Sequence, residues 1–149
     1  MSSFLLTVRE SVRYRGRIGH WSWLAHRVSG LGILTYLIVH VWETANAAFK
    51  PELYEWSVSL FKHPLFGVGE IFLMAALLYH AFNGTRIALL VSKPQWWQHQ
   101  QATAIAVWAL FSVVFIPLAI YMMVSIVNYC GEVPAWGGSC WTVPPYPLP

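Results

Sequence analysis

Residues 21–48, WSWLAHRVSGLGILTYLIVHVWETANAA, form a long apolar run that only four ionisable residues interrupt. These four are His26, Arg27, His40 and Glu43. At 1.5 Å per residue, a helix of this length crosses the ~30 Å hydrocarbon core of a bilayer. Two more apolar runs, at about 66–91 and 102–128, are long enough to do the same. The chain lacks the alternation of a barrel, so the sequence predicts an all-α fold, a three-helix transmembrane bundle.

The composition excludes a soluble globular domain. The chain is 57% hydrophobic and 10% charged, whereas a soluble domain has about 25% charged residues. Its basic residues flank the apolar runs and do not cluster on a polar folded surface, so no nucleic-acid partner is expected. We predict a single membrane domain over residues 1–149, with an N-terminal segment at 1–20 and a tail at 129–149.

A cleaved signal peptide is an alternative interpretation of the first run. The segment Ala45-Asn46-Ala47 resembles a cleavage site that follows an apolar stretch. The run is longer than a usual signal core, however, and it carries His40 and Glu43 near its end. These features favour a membrane span.

The distribution of Lys and Arg predicts the orientation in the membrane. Five Arg precede or begin the first run, whereas the tail has no Lys or Arg. The positive-inside rule therefore places the N-terminus in the cytoplasm and the C-terminus outside. Trp96 and Trp97 would then mark the inner interface, and Trp136 and Trp141 the outer one.

Two cysteines, Cys130 and Cys140, lie in the tail. An outer compartment is oxidising, so a disulfide can persist there. Two unpaired thiols are the alternative, and the spacing fits no metal quartet.

Ionisable side chains within the apolar runs are candidates for function, because each is costly in lipid unless it is paired or liganded. The set comprises His26, Arg27, His40, Glu43, Glu70, His80 and Arg86. Imidazole is a strong ligand for haem iron, and helix bundles hold haem between facing helices. Alternatively, His80 is a hydrogen-bonded core histidine, and His40 is an outer-interface histidine bonded to Glu43 or to a partner. His26 and Arg27 would then snorkel to the inner surface.

Depth along the helices separates the two histidines that lie deep within the apolar runs, His40 and His80. His40 lies about 28 Å from the inner face and His80 about 16 Å from it, at 1.5 Å per residue. The axial ligands of one iron lie only about 4 Å apart, for bonds of roughly 2 Å. His40 and His80 are therefore not expected to share an iron. The other histidines, including His26, are expected at or outside the interfaces, so the missing ligands would come from another subunit.

The inner end of the first run combines groups that suit a quinone. Ser22, His26 and Ser29 recur at i, i+4 and i+7 and share one helical face. Indole rings such as that of Trp23 can clasp a flat head group, while hydroxyl, imidazole and guanidinium groups donate to its carbonyl oxygens. Ser22, Trp23, His26 and Arg27 are the candidate quinone ligands. Arg27 and Arg86 are also candidates to meet haem propionates.

Two motifs resemble one known family. Residues 26–30, HRVSG, resemble the HRxSG signature of the cytochrome b membrane anchor of succinate dehydrogenase. Residues 79–86, YHAFNGTR, resemble the second-helix motif of that family, in which a His precedes a Gly and an Arg. The similarity runs from about Tyr14 to Val127 and includes the order of the motifs and the three-span layout.

The resemblance implies a membrane anchor that binds haem b and forms a quinone site, in a bacterial cytoplasmic membrane. His80 would be an axial haem ligand, and Arg27 and the start of helix one would contact quinone. His40 resembles the first-helix His of two-haem relatives, which would add a second haem. A second membrane-anchor subunit, a flavoprotein subunit and an iron–sulfur subunit would be the partners.

The sequence departs from the family pattern at one position. Ubiquinone-reducing members have a Ser three residues before the motif His, where this chain has Trp23, and the nearest hydroxyl belongs to Ser22. The chain has no dinucleotide fingerprint and no iron–sulfur Cys set, so succinate oxidation would occur on a partner. A quinol:fumarate reductase anchor and a haem-free proton-path or transport subunit that uses His40, Glu43 and Glu70 are the alternatives.

Overall fold

The computed structural model describes residue 6, residues 9 and 10, and the ranges 18–131 and 139–143. Helix α1 spans Ile18–Phe49, α2 Pro51–Phe61, α3 Pro64–Ser92 and α4 Gln100–Gly131, and a short 3-10 helix at Pro94–His99 precedes α4. The described residues include no strand. Trp136 and most of the N-terminal segment and tail lie outside the described residues, so the expectations about them remain predictions.

Three helices are long and apolar enough to cross a membrane. They are Gly19–Phe49, Pro64–Ser92 and the combined segment Pro94–Gly131. The predicted all-α, three-helix membrane fold is therefore confirmed. The predicted runs at 21–48, 66–91 and 102–128 fall inside these segments, and α4 continues on both sides of Pro117.

Helix α3 is the central element of the bundle, since it packs extensively against both α1 and α4. Large apolar side chains remain exposed on every spanning helix, for example Leu31, Phe72 and Val113. Such surfaces face lipid or another subunit in a membrane protein. The buried side chains of the described residues are few, and several are polar: Ser22, Ser29, Glu43 and Asn83.

The connection between the first two spans contains a short helix, α2, which the apolar runs of the sequence do not predict. Helix α2 begins with Pro51 at its first position, where a missing N–H costs nothing, and has Glu52 in its first turn, where the helix dipole favours a carboxylate. His63 caps the next helix, because its Nδ1 accepts from the Leu65 N–H at 3.1 Å. The first connection is thus ordered by its own cap signals.

The tail is tied to the end of α4. Cys130 and Cys140 form a disulfide, with their Cα atoms 5.2 Å apart, which resolves the two alternatives left by the sequence. The ring of His63 lies at 90° to that of Trp141, and its Nε2 donates to the Trp141 carbonyl at 3.2 Å. The described part of the tail therefore covers the start of α3.

Candidate functional site

His80 lies on α3, half-buried against α1, and its Nδ1 meets two oxygens. The carbonyl of His26 is 3.1 Å away and the hydroxyl of Ser29 is 3.2 Å away. Ser29 is buried and donates its own proton to the same His26 carbonyl at 2.9 Å. Three polar atoms from two helices therefore form one closed triangle.

The triangle determines which nitrogen of His80 carries the proton. A carbonyl oxygen only accepts, so the contact with His26 requires a hydrogen on Nδ1. The Ser29 oxygen, whose proton points at the carbonyl, is then a second acceptor for that hydrogen. In the neutral imidazole, Nε2 keeps its lone pair, and no described residue hydrogen-bonds to it.

The His26 ring lies face to face with the His80 ring. The centroids are 3.9 Å apart and the planes differ by 8°. Nδ1 of His26 is buried and has no hydrogen-bond partner among the described residues. Our expectation that His26 lies at the inner interface, away from the level of His80, differs from this arrangement. It was based on straight helices counted from separate ends, whereas packing brings the two rings to one level.

Ser22 lies one turn before His26 and belongs to a buried network between α1 and α3. Its side chain is 1% exposed. Its hydroxyl donates to Asn83 Oδ1 at 3.0 Å and lies 2.9 Å from the Tyr79 hydroxyl, and Tyr79 in turn donates to the Ser22 carbonyl at 3.1 Å. The Ser22 hydroxyl is thus already engaged inside the bundle.

Arg86 extends this network to α4. Its guanidinium donates to Asn83 Oδ1 at 3.2 Å, to the Thr103 hydroxyl at 3.0 Å and to the Gln100 carbonyl at 2.7 Å. Each of its three nitrogens therefore has a partner within the chain. This set of contacts joins the C-terminal end of α3 to the start of α4.

Trp23 and Arg27 lie on a different, exposed side of α1. The Arg27 guanidinium carbon is 4.3 Å from the centre of the Trp23 ring, a cation–π distance. The His20 ring is stacked next to that of Trp23, with 6.0 Å between the two centroids. The four predicted quinone ligands are therefore divided: Ser22 and His26 face α3, while Trp23 and Arg27 face outward.

His40 lies on an exposed part of α1, far from His80. Its ring stacks on Tyr36 at 5.3 Å, and the Tyr36 hydroxyl lies 3.3 Å from Nδ1. Because His26 is level with His80, the fourteen residues from His26 place His40 about 21 Å further along α1. This offset exceeds the expected 12 Å and again separates the two histidines.

The remaining acidic candidates do not join His40 in one path among the described residues. Glu43 is buried and accepts from Ser57 of α2 at 3.2 Å. Glu70 lines a separate cavity of about 360 Å³ between α2, α3 and the end of α4, together with Lys62, Tyr121 and Tyr129. A continuous chain of His40, Glu43 and Glu70 is therefore not formed.

Comparison with known proteins gives a family for this arrangement. The family described as succinate dehydrogenase/fumarate reductase transmembrane subunit matches residues 7–119, well over half of the chain. The chain belongs to this family. It is also 43% identical over 77 residues to the succinate dehydrogenase 2 membrane subunit SdhC of Mycobacterium tuberculosis. That alignment covers 52% of this chain, which spans 57% of the length of the relative.

Members of this family are transmembrane subunits of an enzyme complex, and the family name implies a cytochrome b. The arrangement around His80 fits a haem ligand on its own geometry. The lone pair of Nε2 lies in the ring plane, so the His26 ring, which covers a face, does not block it. Metal-binding His residues commonly donate their other N–H to a carbonyl, as His80 does to His26.

The side chains that hold Ser22 and His80 in place were not predicted from the sequence. Tyr79 and Asn83 were quoted only as part of a motif, although both are nearly fully buried and bond to Ser22. Ser29 was noted for its helical face and not for its contact with His80. A polar residue at i+4 or i+7 from another polar residue predicts a shared face, but it does not identify the opposing helix.

Proposed function

We propose that this chain is the haem b-binding, quinone-site membrane anchor of a bacterial succinate:quinone oxidoreductase. The observation that carries the proposal is the state of His80, whose Nδ1–H is held by two oxygens of α1 while Nε2 keeps a lone pair. Family membership supports the complex, and the geometry supports the ligand. A bound haem supplies a site that accepts and donates single electrons.

His80 would hold the haem iron through Nε2, and the second membrane-anchor subunit would supply the other protein ligand. No second imidazole of the described chain is placed to face Nε2, because the nearest one, His26, lies parallel to the His80 ring. His26 packs against the ligand and does not oppose it. Exposed apolar surface on the spanning helices gives the partner anchor an interface.

Trp23 and Arg27 form the quinone-binding surface. The Trp23 ring offers a flat apolar face, and the exposed Arg27 guanidinium offers donors to a quinone carbonyl oxygen. Ser22 and His26 support this surface indirectly, because their side chains hold the inner end of α1 against α3. This assignment keeps all four predicted quinone residues at one site but gives them two kinds of role.

His40 is proposed to ligate a second haem nearer the outside. The contact with Tyr36 engages Nδ1, and no described residue hydrogen-bonds to Nε2. A spacing of about 21 Å along α1 leaves room for a separate porphyrin. Arg86, a predicted propionate contact, is instead proposed to act mainly as the brace between α3 and α4.

The rest of the complex carries the succinate chemistry. A flavoprotein subunit oxidises succinate on the inner side, and an iron–sulfur subunit passes the electrons to the membrane, where quinone takes two electrons and two protons. The N-terminus lies in the cytoplasm and the C-terminus outside, as the Arg distribution predicts. The Cys130–Cys140 disulfide supports an outer, oxidising location for the tail.

The family description covers fumarate reductase as well, so the same anchor can serve the reverse direction. Turnover measured in both directions on the purified complex distinguishes the two. The haem proposal itself is tested by His80→Ala. We expect the b-type band in the reduced-minus-oxidised spectrum to fall by at least half relative to flavin. A spectrum of unchanged amplitude would refute His80 as a ligand.

A further inference from the structure

Two neighbouring residues of α1 meet the same imidazole, that of His80. The Ser29 hydroxyl lies 3.2 Å from Nδ1. A Cβ built on Gly30 would lie 3.0 Å from Cε1 and 3.4 Å from Nδ1 of the same ring. A distance of 3.0 Å is tighter than nine in ten real Cβ contacts. The His80 ring therefore lies against the Ser29 hydroxyl and in the space that a side chain at position 30 would occupy.

The hydrogen bonds around this gap have a fixed direction. Ser29 donates to the His26 carbonyl, so its oxygen is available to accept from the Nδ1–H of His80. The carbonyl accepts from the same N–H. A histidine N–H that is held by acceptors keeps its tautomer and ring plane, and its other nitrogen becomes a more basic ligand.

We infer that Ser29 and Gly30 are positioning residues for His80. Ser29, with the carbonyl of His26, fixes the Nδ1–H tautomer and raises the basicity of Nε2, while Gly30 leaves the space in which the ring lies. The inference rests on the proposed haem at His80 and assigns the second half of the 26–30 motif to that haem. Arg27, on the exposed side, stays with quinone.

The space at Gly30 is tested by a matched pair of variants on one helix. Gly30→Ala places a methyl group against the His80 ring, whereas Gly32→Ala meets nothing within 4 Å. Alanine forms helices better than glycine, so neither change weakens α1 itself. We expect Gly30→Ala to lose at least half of its haem per flavin or to become high-spin, and Gly32→Ala to match the wild type. Equal haem content and spin state in both variants would overturn the role of Gly30.

The hydroxyl is tested by Ser29→Ala with Ser92→Ala as its control. Among the described residues, Ser92 bonds only to the Ala88 carbonyl of its own helix, so the control removes an intrahelical bond without touching His80. The His26 carbonyl still accepts from Nδ1 in Ser29→Ala, so we expect haem to be retained. The midpoint potential should rise above that of the control, because a less basic ligand stabilises ferric iron less. Ser29→Thr, whose hydroxyl can take the same position, should return the potential towards the wild-type value.

Three outcomes distinguish the positioning role of Ser29 from the proposed haem ligation by His80. If His80→Ala keeps its haem, the proposed ligand is wrong. If His80→Ala loses haem while Ser29→Ala keeps the potential of Ser92→Ala, or shows a lower one, the role of Ser29 is wrong and the ligand assignment stands. Loss of haem in His80→Ala, with a raised potential in Ser29→Ala and its recovery in Ser29→Thr, supports both.

Discussion

The imidazole rings of His26 and His80 lie parallel, with 3.9 Å between their centroids and 8° between their planes. The contact fixes the register of α1 against α3, because it sits between the Ser29 contact on one side and the Ser22 network on the other. It also covers one face of the His80 ring and leaves the in-plane lone pair of Nε2 open. The proposed haem and quinone sites therefore lie on adjacent turns of α1.

His40→Ala tests the second haem. We expect the variant to lose one haem per flavin and to keep the haem at His80, because about 21 Å of helix separates the two residues. The exposed ring bonds only to Tyr36 among the described residues, so the bundle should stay intact. Tyr36→Phe is the control, since it keeps the aromatic contact and should keep both haems. An unchanged haem count in His40→Ala would contradict the two-haem arrangement.

Arg27→Ala tests the quinone surface. The variant should lower quinone reductase activity about tenfold or more, which corresponds to one lost hydrogen bond from a charged donor, about 1.5–3 kcal/mol. Succinate oxidation with an artificial acceptor should continue at the wild-type rate. Lys93→Ala is a suitable control, because Lys93 also lies over an indole ring, that of Trp96, at 4.8 Å. Equal loss of both activities in Arg27→Ala would argue against a local role.

Asn83→Leu tests the buried network. The amide oxygen accepts from both Ser22 and Arg86, so its removal leaves one guanidinium nitrogen without a partner and leaves the Ser22 hydroxyl with the Tyr79 hydroxyl alone. A cost of about 1–3 kcal/mol is expected for such groups, seen as a lower melting temperature of the complex in detergent. Thr85→Val is the matched control, because Thr85 is exposed and its one hydrogen bond in the described part of the chain stays within α3. Similar melting temperatures for the two variants would contradict the bracing role.

The tail disulfide predicts a labelling pattern. Without a reductant, an alkylating reagent should modify neither Cys130 nor Cys140 in the complex, because the two sulfurs are bonded. After reduction and unfolding, both should be modified, which mass spectrometry detects as two added groups. Labelling of unreduced complex would contradict the disulfide and weaken the outer placement of the tail.

The spanning helices could be predicted from the sequence because the length of an apolar run shows directly whether a helix can cross the membrane. The spans at 21–48, 66–91 and 102–128 were predicted without any information on how the helices pack. Helix Pro51–Phe61 was missed because it is too short to span a membrane and contains no long apolar run. Length and hydropathy therefore identify a membrane helix and overlook a short connecting one.

The residue types of the site could be predicted from the sequence, but the contacts between α1 and α3 could not. Ser22, His26 and Ser29 were correctly assigned to one helical face, but the sequence did not show that this face meets Tyr79, His80 and Asn83. The rotation of α1 relative to α3 decides which side chains are in contact. Residue spacing along a single helix does not determine this rotation. Ser22 thus became a buried donor to Asn83, while Trp23, one residue later, faces outward.

The haem-to-flavin ratio of the purified complex tests the central claim most directly. We predict a Soret band, a b-type band on reduction and two haems per flavin, with at least one lost in His80→Ala. A colourless complex from which no porphyrin can be extracted would contradict the account, since His80 would then have no iron to bind.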